Sequence, residues 1–177
     1  MSKLVAIDAM VFVWGIKKEA TVGQEDMIEK TRVLFERLDK DGIQLLIPAP
    51  VLAEALAPID DNRRKEVLRV VENTANVYPF DSFCAEVFAE MMYNYKNSIN
   101  QEELRKYRAE HLVPKDKMKF DYMISAIAVS NNALCIFSND HGLSVFASPS
   151  IDVVKVSDNI SIPKLNLGNQ LGLTFDA

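Results

Sequence analysis

Leu4-Val5-Ala6-Ile7-Asp8 is a short apolar run closed by a carboxylate, and Leu134-Cys135-Ile136-Phe137, three residues short of Asp140, repeats the form far along the chain. Runs this short and this apolar read as strands buried on both faces, the habit of a parallel sheet. A third run, Ile43 to Ile47, is stopped by Pro48 and Pro50 and followed by Glu54. A fourth acid, Asp121, lies near the start of the apolar helical segment Phe120 to Ser130. In an open α/β sheet, functional groups gather beyond the carboxyl ends of the strands. Four acids distant in sequence are therefore expected at one edge. Converging carboxylates repel one another, and a cation relieves that repulsion.

Working outward from these runs, strands alternate with helices. Helical periodicity predicts Gln24 to Lys40, with Ile28, Leu34, Phe35 and Leu38 on one face and Gly42 as a C-terminal residue needing positive φ. Val51 to Ala57 reads as a short helix carrying Glu54, with Pro50 suited to its first position and Pro58 ending it. Asn62 to Thr74 is helical behind Asp60 and Asp61, where acids favour the positive helix end. Asn76 to Phe80 is a third strand. Ser82 to Tyr95 carries a strong apolar stripe, Gln101 to Leu112 is helical up to Pro114, and Val153 to Val156 is the last strand. The alternation predicts an α/β fold, a three-layer α/β/α sandwich with a mainly parallel central sheet of about five strands. Residues 1–157 form the domain, and 158–177 an extended tail packing on it or on a second subunit.

The 177 residues suit one domain with a real core. Twenty basic against 25 acidic residues leave a formal charge of -5, which argues against a tight nonspecific polyanion binder. No apolar stretch is long enough to span a bilayer, and the N-terminal run meets Asp8 too soon for a signal-peptide core. Cys84 and Cys135 read as small buried hydrophobes of a reducing compartment, which points to the cytoplasm. Two His and no Cys pair at ligand spacing exclude an ordinary zinc site.

Ile7-Asp8, Val51-Leu52-Ala53-Glu54-Ala55-Leu56, Phe120-Asp121-Tyr122-Met123-Ile124-Ser125-Ala126-Ile127-Ala128 and Phe137-Ser138-Asn139-Asp140 follow one another in an ordered series. That series resembles the PIN domain, the metal-dependent nuclease fold of VapC-type toxins and of many RNA-processing factors. The resemblance covers roughly residues 3 to 157. It implies that Asp8, Glu54, Asp121 and Asp140 bind metal and carry catalysis, that RNA is the substrate, and that a toxin would meet an antitoxin whose tail blocks the acidic groove. Helical faces of the family also mediate dimers, which makes a homodimer an expectation. Oxygen donors without His or Cys select Mg²⁺ or Mn²⁺. The family's hydroxyl before the last acid is kept as Ser138, and Ser138, Asn139 and Lys119 are the candidates for substrate contact. The resemblance departs at Ala9-Met10, where the family commonly has Thr or Ser and then a small polar residue. That departure motivates an alternative, a PIN-like module that binds RNA or a protein without turnover. An aspartyl phosphatase built on Asp8 would want a second acid where Met10 stands.

Each acid also has a plainer role: Asp8 as a helix cap, Asp121 as a first-turn acid, Asp140 before Gly142 as turn chemistry, and Glu54 as a solvated helix residue. Between Lys96 and Lys119 seven cations face four acids, a local basic strip leading to Asp121, with Tyr93, Tyr95 and Tyr107 as possible stacking surfaces. Arg63, Arg64, Lys65 and Arg69 form a second basic group.

Overall fold

The computed structural model describes residues 3–97, 101–147 and 150–157. Five strands form one parallel sheet: β1 (Lys3–Ile7), β2 (Ile43–Pro48), β3 (Asn76–Tyr78), β4 (Ile136–Phe137) and β5 (Val153–Val154). Their spatial order is β3-β2-β1-β4-β5. Register pairs Val5 with Leu45 on one side of β1, and Ile7 with Phe137 on the other. β1 is thus the central strand, and Val5, Ala6 and Ile7 are fully buried, as an apolar run without alternation requires.

The chain leaves β1 towards β2 and β3, then crosses back to β4 and β5. Right-handed crossovers put the two sets of connecting helices on opposite faces. One set is α1 (Ala9–Phe12), its π-helical continuation Val13–Lys17, α2 (Asp26–Lys40), α3 (Ala49–Leu56) and α4 (Asp61–Thr74). The other is α5 (Ser82–Asn97), α6 (Gln101–Glu110), α7 (Lys115–Ser130) and α8 (His141–Ala147). Most contacts follow the division: the π-helical turn packs on α1, α2 and α4, and α7 on α5 and α8, while α3 meets α7 across it. The result is the expected three-layer α/β/α arrangement.

Several boundaries differ from the sequence reading, each for a local reason. The segment after Asp8 is helical, because Asp8 caps α1 and Trp14 is carried into the core at 2 % exposure. Gly15 is needed there, since a Cβ would fall 2.4 Å from the Phe35 ring of α2. α7 starts at Lys115, five residues earlier than the apolar pattern, because Pro114 ends the preceding loop in extended backbone and leads into the first turn. α8 was not signalled by its short apolar pattern. Gly42 takes the left-handed conformation, φ +66°, that its helix end demands. The tail expected over 158–177 lies outside the described residues.

α7 is buried on two sides. Ile124, Ile127 and Ala128 join the main core around the sheet, while Met118, Tyr122 and Ala126 join a second cluster with Val87, Met91, Tyr95 and Phe146. A helix apolar nearly all round sits inside the protein. From Met118 onward the helix is mostly apolar, and Asp121 is carried inside with it, while Lys115, Asp116, Lys117 and Lys119 of the first turns stay exposed.

Candidate active site

The change of direction in strand order falls between β1 and β4, and this is where an open α/β sheet makes its crevice. A cleft of about 580 Å³ opens there. Ala9 and Met10 of α1 form one wall, Ala53 and Glu54 of α3 a second, and Asp116, Lys117, Phe120, Asp121 and Ile124 of α7 a third, with Asp8, Asp140 and Leu143 completing it. All four acids singled out in the sequence line this one cleft.

They are held differently. Asp8 is 4 % exposed. Its Oδ1 accepts the Val11 N–H at 2.8 Å, capping α1, and its Oδ2 accepts the Ser138 hydroxyl. Ser138 Oγ in turn accepts the Asp140 N–H at 2.9 Å. One buried hydroxyl thus ties the ends of β1 and β4 together. Asp140 Oδ1 accepts the Gly142 N–H at 2.7 Å. A Cβ on Gly142 would stand 3.1 Å from that same oxygen. Asp140 Oδ2 accepts from the Lys117 ammonium at 2.5 Å, and the same ammonium stands 3.6 Å from Asp121 Oδ1. Asp121 Oδ2 is buried and has no hydrogen-bond partner. Glu54 is exposed on the opposite wall.

Electrostatics follow from these settings. Burial raises the Asp8 carboxyl to about 6, against its hydrogen bonds from Ser138 and Val11, with Asp140 adding repulsion. Burial raises Asp121 to about 7; Lys117 opposes the rise, and Asp140 and Asp8 reinforce it. For Asp140 burial also works upward, but the Lys117 ammonium outweighs it and holds the carboxyl below its ordinary value. Burial works against the Lys117 charge, and its acidic neighbours overcome that and raise it. Acids poised near neutrality in a cleft are a mark of functional sites.

The plainer roles can now be weighed. Asp8 does cap a helix, and Asp140 does make a turn bond to Gly142. Asp121 does neither: with α7 beginning at Lys115 it sits in the second turn, past the reach of the helix-end dipole. The i,i+4 pair with Lys117 engages only its Oδ1 and leaves the buried Oδ2 unaccounted for.

The substrate-contact candidates separate. Ser138 is 1 % exposed and spends its hydroxyl on Asp8 and Asp140. Asn139 spends both ends of its amide on the Val156 backbone, at 2.8 and 3.5 Å. Lys119 pairs with Asp116 at 3.4 Å on the exposed side of α7 and does not line the cleft. Lys117, counted in the sequence only as part of a basic strip, is the cation that enters it. The signal was present: Lys117 and Asp121 are four residues apart on a helix and so share a face. Tyr107 stacks on His111 with ring centroids 4.2 Å apart and meets His141 edge-on at 5.5 Å, while Tyr95 is buried against Tyr122 and Phe146. In the second basic group, Arg63 binds Glu19, Glu66 and the Lys17 carbonyl, and Arg64 binds Asp61 and the Ile59 carbonyl.

The donor chemistry fits a hard divalent cation: only carboxylate oxygens converge, and Asp121 Oδ2 is a buried oxygen left without a partner. Their present spacing does not make a complete cage, since among the described residues no three acidic, His or Cys side chains form a metal-holding group. The charge between Asp140 and Asp121 is supplied by an ammonium.

No protein-family model matches the sequence, and no curated protein does. Among solved structures the fold is similar to a chain of VapBC2 from Rickettsia felis, crystallised bound to a DNA fragment from their promoter. The TM-score is 0.60 over 87 % of this chain and 99 % of that one, at 14 % identity. The likeness is one of fold, and it suggests a PIN-like architecture. Among the described residues no helix is long and apolar enough to cross a membrane.

Proposed function

We propose that this protein is a divalent-metal-dependent endoribonuclease of the PIN type, with Asp8, Glu54, Asp121 and Asp140 as its working acids. The observation that carries the reading is Asp121: a carboxylate inside an apolar helix, raised to about 7, with one oxygen buried in a cleft and unpartnered. A structural acid would have both oxygens paired or solvated; this one meets Lys117 through Oδ1 alone, and its buried Oδ2 costs stability where it stands.

Asp8, Asp121 and Asp140 are the residues to hold Mg²⁺ or Mn²⁺, with Glu54 approaching from the α3 wall. Bound there, the ion supplies positive charge that lowers the pKa of a water and neutralises a phosphodiester. Ser138 fixes Asp8 and Asp140 relative to each other, and Gly142 leaves Asp140 Oδ1 room. Met10, Phe120, Ile124 and Leu143 give the cleft an apolar lining that strengthens charge interactions within it.

Purified protein is assayed on RNA and on DNA with Mg²⁺, Mn²⁺ and EDTA. Cleavage of RNA that EDTA abolishes, and that Asp121→Asn removes, is the expected result. Turnover that survives in Asp121→Asn sinks the reading.

A second reading, a PIN-like module that binds RNA or a protein without turnover, is favoured by Ala9 and Met10, which line the cleft beside Asp8 without a hydroxyl. Affinity for RNA with no cleavage at any metal concentration would decide for it. The fold neighbour comes from a complex named VapBC2, which supports an antitoxin-like protein as a partner, in a toxin or in an RNA-processing role. A homodimer, a cytoplasmic location and a tail of residues 158–177 lying on the 1–157 domain or a second subunit complete the proposal.

A further inference from the structure

Lys117 is out of place by the rules of helix formation. It is the third residue of α7, where the positive end of the helix dipole disfavours a cation. Its side chain nevertheless turns into the cleft and meets Asp140 at 2.5 Å and Asp121 at 3.6 Å. Two acids from distant parts of the chain are thereby held on one charge. On Asp140 it engages the oxygen a cation would use, and on Asp121 it stands beside Oδ1 and leaves Oδ2 unpartnered. Asp140 Oδ1 is already bonded to Gly142 N–H, which leaves Oδ2 as the free donor, and Oδ2 is where the ammonium sits.

We infer that Lys117 is a built-in competitor for the divalent ion, its ammonium engaging the two carboxylates, Asp140 and Asp121, that would hold the ion. The inference rests on the metal-site reading above. With the ammonium in place, one positive charge offsets part of the repulsion between Asp140 and Asp121. The side chain is 43 % exposed, so it has solvent to swing into. A lysine is suited to this, because its charge is a point on a flexible stem and holds no planar fork of bonds. Ion entry and lysine exit are then one exchange, and the protein's affinity for the ion is lowered by the strength of the contact it breaks.

The test is direct binding, independent of cleavage. Mn²⁺ is titrated into the full chain at pH 7.5 and low salt, with free Mn²⁺ read by electron paramagnetic resonance. Wild type is compared with Lys117→Met, Lys117→Arg and Asp121→Asn. Lys117→Met is expected to bind about tenfold more tightly, within the usual range for coupled binding events. Lys117→Arg, which keeps the charge, is expected to show no such gain. Should Lys117→Met fail to fold, Lys117→Gln makes the same comparison with a neutral, polar side chain. Equal or weaker binding by the neutral variant, in a protein whose binding Asp121→Asn abolishes, overturns the competition and leaves the metal site standing. Absence of saturable binding in every form overturns the metal site and the competition together.

Discussion

Two charged clusters of this molecule are built to opposite rules. Around the π-helical turn, Lys17 and Arg63 face Glu19 and Glu66, and every charge has a partner: Lys17 with Glu19 at 3.0 Å, Arg63 with Glu19 at 3.2 Å and with Glu66 at 3.0 Å. Glu19 is held below its ordinary pKa, its slight burial outweighed by Lys17 and Arg63. In the cleft, Asp8, Asp121, Asp140 and Glu54 come together, and the Lys117 ammonium pairs with only Asp121 and Asp140 of these. Two of the acids are pushed up to about 6 and 7. The first cluster is balanced and needs no function to explain it. The second is acidic, with Asp8 and Asp121 buried and Asp121 Oδ2 unpartnered, and evolution does not ordinarily keep such an arrangement for stability.

That contrast is exposed to measurement. The largest effect belongs to Asp121→Asn. It should lower metal-dependent RNA cleavage by about 10²- to 10³-fold, the scale of removing one electrostatic element of an active site. At pH 8, without metal, it should raise stability by on the order of 2 kcal/mol, because a carboxyl displaced by several pKa units is penalised when ionised. Urea melts read the second quantity, and a loss of stability would break the comparison.

Next in size is the pH dependence of the metal-free protein. Asp8 and Asp121 have native pKa values above their ordinary one, so the folded state holds protons the unfolded chain releases. Their contribution is fully present below about pH 4 and is lost as pH rises through about 6 and 7. Asp140 is shifted down, so its contribution is present above the ordinary carboxylate pKa and is lost as pH falls below it. Stability should therefore decline from about pH 4 to 7, and millimolar Mn²⁺ should flatten the decline. A stability that climbs with pH over that window would contradict the assignment.

Ser138→Ala comes third. It strips Asp8 Oδ2 of its donor and the Asp140 N–H of its acceptor, at a cost of about 1–3 kcal/mol. It should also push Asp8 higher still, since Ser138 is one of the groups holding it down. Nuclear magnetic resonance titration of the carboxyl carbon reads the shift. The smallest effect belongs to the balanced cluster: Glu19→Gln should cost less than about 1 kcal/mol and leave cleavage unchanged.

Much of this was legible in the sequence, and the reason is periodicity. β1 and β4 announced themselves because a strand buried on both faces cannot alternate. The helices α2, α4 and α5 did so because one face of each is apolar. The four acids were legible because a parallel sheet brings strand ends to a common edge. What escaped was side-chain direction. Lys117 and Lys119 flank the same helix start, and sequence distance to Asp121 favours Lys119. The turn of the helix reverses that order, putting position 117 on the Asp121 face and sending 119 out to Asp116. α8 escaped because seven residues are too few to establish a period. Asn139 looked available for substrate because a loop amide carries no mark of being spent on the Val156 backbone, 17 residues on.

The double duty of Asp8 shapes how any mutagenesis of this cleft is to be designed. Its Oδ1 closes the first turn of α1 while the same carboxylate faces the cleft. Asp8→Ala removes a helix cap along with a charge, so lost activity would be confounded by a loosened α1 and by disturbed packing of Trp14 behind it. Asp8→Asn and Asp8→Ser keep a capping oxygen and delete only the anion. A pair of such variants, one amide and one hydroxyl, separates architecture from chemistry at the position where the two are most closely joined.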